Sequence, residues 1–153
     1  MPIGSGRIET QLMAEEEWAN AWKKYYKPFR LGEHILIVPS WEEVEAQPGD
    51  IRITLDPGMA FGTGTHETTS MCLTMLEQLV KSGQTVLDIG CGSGILGIAA
   101  AKLGAGRVIG SDLDPNAVLV ARENAAENGV SEIVEIHQGD LTDIPVLQNV
   151  QAD

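Results

Sequence analysis

The segment Asp88-Ile-Gly-Cys-Gly-Ser-Gly94 places three glycines at every second position, with a carboxylate two residues ahead of the first. Glycines so spaced let the backbone turn sharply and approach a ligand closely, and a helix that follows them offers its first N–H groups to that ligand. Eighteen positions beyond Gly94 stands Asp112, in Ser111-Asp-Leu-Asp114. An acid about 20 residues after a glycine loop is placed to accept both hydroxyls of a ribose. Asp114 competes for that role, but it directly precedes Pro115 and is the better helix N-cap. The chemistry implied is capture of a ligand that carries a nucleoside.

The same loop admits more than one nucleotide. Gly92-Ser-Gly-Ile-Leu-Gly97 satisfies G-x-G-x-x-G, so a nicotinamide or flavin dinucleotide is one reading, and a plain tight turn between strand and helix is the blandest. Asp88 weighs against a dinucleotide, because a carboxylate at the strand end is unhelpful beside pyrophosphate and suits a cation such as the ammonium of an amino acid. The pattern therefore favours S-adenosylmethionine. Asp140, in Gln138-Gly-Asp-Leu141, is either an acceptor for the adenine amino group or an ordinary loop aspartate, and Leu113 is placed to pack on adenine. His34, His66 and His137 are scattered, and no His or Cys pair has ligand spacing, so no metal site is expected. Cys91 lies inside the glycine loop with no histidine spaced to activate it, and reads as a small buried residue.

These residues need a scaffold, and the flanking pattern supplies one. Thr85-Val-Leu-Asp-Ile89 reads as a strand, Ile95 to Leu103 as a helix stopped by Gly104, Val108 to Ser111 as a strand, Pro115 to about Asn128 as a helix capped by Gly129, and Ile133 to His137 as a strand. This β-α-β-α-β order predicts a parallel sheet of the Rossmann-like α/β class. Upstream, a helix is expected from about Ala14 to Tyr25, with Trp18 and Trp22 on one face and Pro28 ending it. His34 to Val38 and Asp50 to Leu55 read as two strands expected to pair antiparallel. A glycine- and threonine-rich segment, Gly58 to His66, leads to a helix from about Glu67 to Lys81. Residues 1–56 are read as a leader, a tryptophan helix and a β-hairpin, and 57–153 as the cofactor-binding domain.

Composition narrows the class. A chain of 153 residues with 43% hydrophobic and 21% charged side chains has enough apolar material for one core. A net charge of -12 repels phosphate backbones and anionic lipid, so neither nucleic acid nor membrane is an expected partner. The only basic cluster is Lys23, Lys24, Lys27 and Arg30. Two cysteines outside any CxxC pattern suit a reducing cytoplasm, and Glu9 and Glu15-Glu16-Glu17 interrupt any apolar stretch of signal-peptide type.

The glycine loop and Asp112 together resemble a class I S-adenosylmethionine-dependent methyltransferase. A narrower resemblance covers nearly the whole chain: Glu17-Trp-Ala-Asn-Ala-Trp-Lys23, Pro39-Ser-Trp41, Leu55 to Thr69 and Asp112-Leu-Asp-Pro115 are similar to the bacterial ribosomal protein L-eleven methyltransferases. In that family the threonine-rich segment lies over the cofactor, so the resemblance implies that Phe61 and Thr69 contact S-adenosylmethionine, beside Asp88, Gly90, Gly92, Gly94, Asp112, Leu113 and Asp140. It implies N-methylation of amino groups on a large-subunit ribosomal protein. The family also carries an N-terminal ferredoxin-like domain and a loop after the fourth strand that holds the target amine, and neither has a match here. The chain is therefore expected to be truncated at both ends, to hold no catalytic residue of its own, and to associate with itself through the unpaired edge of the Thr85–Ile89 strand. Two other readings stay open: a nicotinamide-dependent oxidoreductase, and a non-catalytic S-adenosylmethionine-binding fragment.

Overall fold

The structure is a computed structural model that describes residues 27–56, 67–140, 142 and 152. The tryptophan helix and the segment from Pro57 to His66, with Phe61, lie outside the described residues.

A first sheet is built from β1 (Phe29–Leu31), β2 (Ile35–Val38) and β3 (Ile51–Thr54), in the order β1-β2-β3. All four residues of the central strand β2 are buried, so side chains on both faces of this sheet are covered. The expected antiparallel pairing of β2 with β3 is corrected: they run parallel, with Ile35 opposite Ile51 and Val38 opposite Thr54. The antiparallel partner of β2 is β1, across the turn at Gly32 (φ +60). The physical reason lies in the connections. Three residues between β1 and β2 suffice only for a hairpin, whereas the twelve between β2 and β3 carry the chain back to the starting end. There the Asp50 carboxylate accepts two hydrogen bonds from the Arg30 guanidinium, at 2.6 and 2.9 Å, fixing where β3 begins. At the other end Ser40 donates from its backbone N–H and its hydroxyl to Asp56, both at 2.7 Å. That clamp sets the point from which the threonine-rich segment departs.

The second sheet is β4 (Thr85–Ile89), β5 (Arg107–Asp112) and β6 (Val134–Gln138), all parallel, with β5 in the middle. Among the described residues β4 has a strand neighbour on one side only. Helix α1 (Glu67–Leu79) precedes β4, α2 (Ile95–Lys102) joins β4 to β5, and α3 (Pro115–Glu127) joins β5 to β6. Each lies within one or two residues of its predicted span, because Gly83, Gly104 and Gly129 adopt positive φ at the stops and Asp114 caps α3 by accepting from the Asn116 N–H.

Helix α2 carries Ile and Ala almost without interruption, and six of its eight residues are buried. A helix apolar all round must be covered on every side. It packs against β3 of the first sheet, against all three strands of the second, and against α1 and α3. One contiguous core therefore joins Ile35, Ile37 and Ile53 to Leu73, Ile98, Val108 and Ile136.

Candidate functional site

The glycine loop sits at the carboxyl end of β4, where an open parallel sheet binds its ligands. Gly90, Gly92 and Gly94 take φ of 73°, 53° and 82°, values a side-chain-bearing residue adopts only under strain. Gly94 is also a close approach, since a Cβ there would stand 3.1 Å from Ala121 Cβ on α3. The loop is tied to β5 by its own amides: the Gly90 and Cys91 N–H groups both donate to the Ser111 carbonyl at 2.8 Å.

Asp112 closes the arrangement. One carboxylate oxygen accepts from the Gly92 N–H at 3.0 Å and the other from the Asp114 N–H at 2.9 Å. Each oxygen keeps a lone pair beyond the backbone bond it has made, so two further hydroxyl donors can be taken. Asp112 thus spans the glycine loop and the end of β5, and faces a cavity of about 210 Å³ lined by Ile89, Gly90, Ser111, Leu113, Gly139 and Asp140. Leu113 is 70% exposed on the rim, which leaves its side chain free to pack on a bound ring. Asp140 accepts from the Thr142 N–H and hydroxyl at 2.8 and 2.6 Å, a local turn that holds the carboxylate at the cavity wall. The spacing singled out neither Ser111 nor Gly139; Gly139 donates its N–H to the Asp112 carbonyl at 2.9 Å and continues the register of β6 into the wall.

Asp88 is placed differently. Its Oδ2 accepts from the Gly97 N–H at 3.2 Å, in the first turn of α2, whose N-cap Gly94 has no side chain to serve that turn. Asp88 lines a second, mainly apolar cavity of about 270 Å³ with Cys72, Met75, Leu76, Leu79, Val86, Leu87 and Leu96. Burial pushes its pKa up to about 6, against the opposing pull of the Gly97 N–H, with a further upward push from the Asp112 charge. The two acids singled out by sequence therefore flank the end of β4 in separate cavities. Thr69 lies half-buried in the first turn of α1, the helix that contributes Cys72, Met75, Leu76 and Leu79 to the Asp88 side.

Cys91 is 7% exposed, and burial first, then Asp88 and Asp112, pushes its thiol up to about 12, which leaves it no use as a nucleophile near neutrality. Among the described residues no grouping of His, Cys, Asp and Glu could hold a metal ion, and no helix is long and apolar enough to cross a membrane.

Comparison with known proteins settles the kinship. The ribosomal protein L11 methyltransferase (PrmA) family model matches residues 2–153. The chain belongs to this family. It is 56% identical over 142 residues to the ribosomal protein L11 methyltransferase of Alkaliphilus oremlandii, covering 93% of this chain and 45% of the relative. For the enzyme of Caldanaerobacter subterraneus the identity is 58% over 139 residues, 91% of this chain and 45% of the relative. The crystal structure of ribosomal protein L11 methylase from Lactobacillus delbrueckii superposes with a TM-score of 0.71 at 38% identity, over 78% of this chain and 62% of that one. The chain thus spans a little under half the length of the curated L11 methyltransferases it matches.

Proposed function

We propose that this chain is the S-adenosylmethionine-binding part of a protein N-methyltransferase acting, in the cytoplasm, on amino groups of ribosomal protein L11. The observation that carries the reading is Asp112, whose two oxygens are anchored by the Gly92 and Asp114 amides at the mouth of a cavity also lined by Leu113 and Asp140. Membership in the L11 methyltransferase family supports it, and the unpaired Cys72 and Cys91 suit a reducing compartment.

The cavity fits the cofactor in its donor set. A ribose needs paired acceptors, which Asp112 supplies. The adenine amino group needs one acceptor and an apolar face, which Asp140 and Leu113 offer. The loop glycines admit the nucleoside without a side chain in the way. Asp88, in the separate cavity at the end of β4, would hold the ammonium of the amino acid part, and the family resemblance adds Thr69 and Phe61 as cofactor contacts. When bound, the cofactor supplies a methyl group on a sulfonium centre, ready for in-line transfer to an amine.

Placement is then the chain's main contribution, since aligned reactants within roughly 3 to 3.5 Å can recover about 7 to 11 kcal/mol of a barrier. The target amine must be neutral to attack, and a lysine of ordinary pKa ~10.4 has to lose a proton first. No described residue is assigned to that step.

The test is calorimetric titration of the chain with S-adenosylmethionine and with NADH, for wild type and Asp112→Ala. Micromolar binding of S-adenosylmethionine that weakens at least tenfold in the variant is expected. Binding of NADH in its place would overturn the reading in favour of an oxidoreductase. Binding without methylation of added ribosomal protein L11 would identify a cofactor-binding fragment.

A further inference from the structure

The outer edge of β3 and the glycine loop are held by the same helix. In β3 the odd-numbered residues bond to β2, with the Ile51 and Leu55 N–H groups donating to the His34 and Val38 carbonyls at 2.6 and 3.0 Å. Arg52 and Thr54 therefore turn their backbone groups the other way, where an edge strand would be left unpaired. Side chains occupy that edge. The Lys102 ammonium, at the end of α2, donates to the Arg52 carbonyl. Asn128, the C-cap of α3, takes both groups of Thr54: its Oδ1 accepts from the Thr54 N–H at 2.7 Å, and its Nδ2 donates to the Thr54 carbonyl at 2.9 Å. The primary amide here imitates one rung of a strand.

The same Nδ2 also donates to the Asn124 carbonyl at 2.8 Å, one turn earlier in α3. Asn124 is 3% exposed, and its own Nδ2 reaches the Ser93 carbonyl, inside the glycine loop, at 2.9 Å. A buried amide is retained in a core only when its bonds are made, and here they run from β3 to the loop. Three residues before Asn124, Ala121 packs against Gly94. The face of α3 that carries Ala121, Asn124 and Asn128 is thus a bracket with β3 at one end and the glycine loop at the other. Beyond β3 the chain runs through Leu55 and the Ser40-clamped Asp56 into the threonine-rich segment.

We infer that Asn124 and Asn128 are positioning residues, a pair of side-chain amides that sets the glycine loop in register with β3, the strand that leads toward the threonine-rich segment. This deepens the proposed cofactor reading and rests on it for its consequence in binding, though not for its structural half. Neither residue touches the cavity. They act through Ser93 and Thr54, so removing the distal one should be felt at the loop.

The experiment compares wild type, Asn128→Ala, Asn124→Ala and the isosteric Asn128→Asp, which keeps the acceptor for the Thr54 N–H and loses the donor to the Thr54 carbonyl. Amide resonances of Gly92 and Gly94 in the free protein are read by NMR, and S-adenosylmethionine affinity is measured at a temperature where every variant is fully folded. Asn128→Ala is expected to shift both glycine resonances, 36 and 34 positions earlier in the chain, and to weaken binding about tenfold. Asn128→Asp should fall between it and wild type. Glycine resonances unchanged in both Asn128 variants, or affinity within twofold of wild type with those resonances shifted, would overturn the inference. If wild type binds no S-adenosylmethionine, the cofactor reading fails while the resonance shifts still decide whether the bracket exists.

Discussion

Asp88 offers the sharpest test of how this site handles charge. Its carboxyl sits at about 6 in place of the ordinary 3.8, held up chiefly by burial. Two units amount to about 3 kcal/mol against ionisation, at about 1.4 kcal/mol each. An acid whose pKa is raised on folding stabilises the fold most when protonated. Its contribution is complete below pH 3.8 and is lost as pH rises through about 6. A ligand ammonium reverses the preference, because it interacts with the ionised form alone. At pH 7 about ten in eleven Asp88 side chains are ionised, and at pH 5 about one in eleven, so affinity for S-adenosylmethionine should fall roughly tenfold between the two, about 1.4 kcal/mol. Isothermal calorimetry across pH 5 to 7 reads this directly. Adenosine, which lacks the amino acid, serves as the control and should bind equally at both ends of the range. Asp88→Asn, which keeps an oxygen for the Gly97 N–H, should abolish the slope and make the free protein more stable at pH 7 than wild type. A flat profile for S-adenosylmethionine, or a slope that survives in Asp88→Asn, would refute the placement of the ammonium at Asp88.

Other outcomes follow from single contacts. Gly94→Ala should lower stability by about 1 to 3 kcal/mol in denaturant unfolding, since it combines a positive φ with a Cβ that meets Ala121; an unchanged midpoint would mean that α3 yields at no cost. Cys91, with its thiol near 12, should be about one part in ten thousand thiolate at pH 8, and a thiol reagent on the native protein should label Cys72 first; mass spectrometry of the labelled peptides decides. Among the described residues β4 has a strand neighbour on one side only, and that edge, with Ile89 47% and Leu79 62% exposed beside it, should draw two copies of the chain together, an association that Ile89→Lys should weaken. Sedimentation showing a wild-type monomer at every concentration would sink that expectation.

Local chemistry wrote much of the second sheet into the sequence. Thr85 to Ile89 is short, apolar and bounded by glycines, Pro115 follows a capping acid, and Gly104 and Gly129 supply the positive φ that ends each helix. All are decided within a few residues, where neighbours in the chain are neighbours in space. The glycine loop and Asp112 were legible for the same reason: their roles depend on backbone freedom at fixed offsets, and the Gly92 to Asp112 hydrogen bond needed only one β-α-β unit to form.

Tertiary structure decided the rest. Parallel pairing of β2 with β3 was hidden because strand periodicity is the same for either direction, and Phe29–Leu31, the true hairpin partner, is too short to announce itself. The separation of Asp88 and Asp112 into two cavities depended on where α1 and α2 came to rest, and burial then raised Asp88 toward neutrality. Asn124 and Asn128 read as ordinary polar residues near the end of a helix until folding brought Thr54 and Ser93 to them across 74 and 31 positions. Sequence specifies what the backbone can do at a point. Only the packed core determines which distant polar groups must satisfy one another, because their cost appears when water leaves.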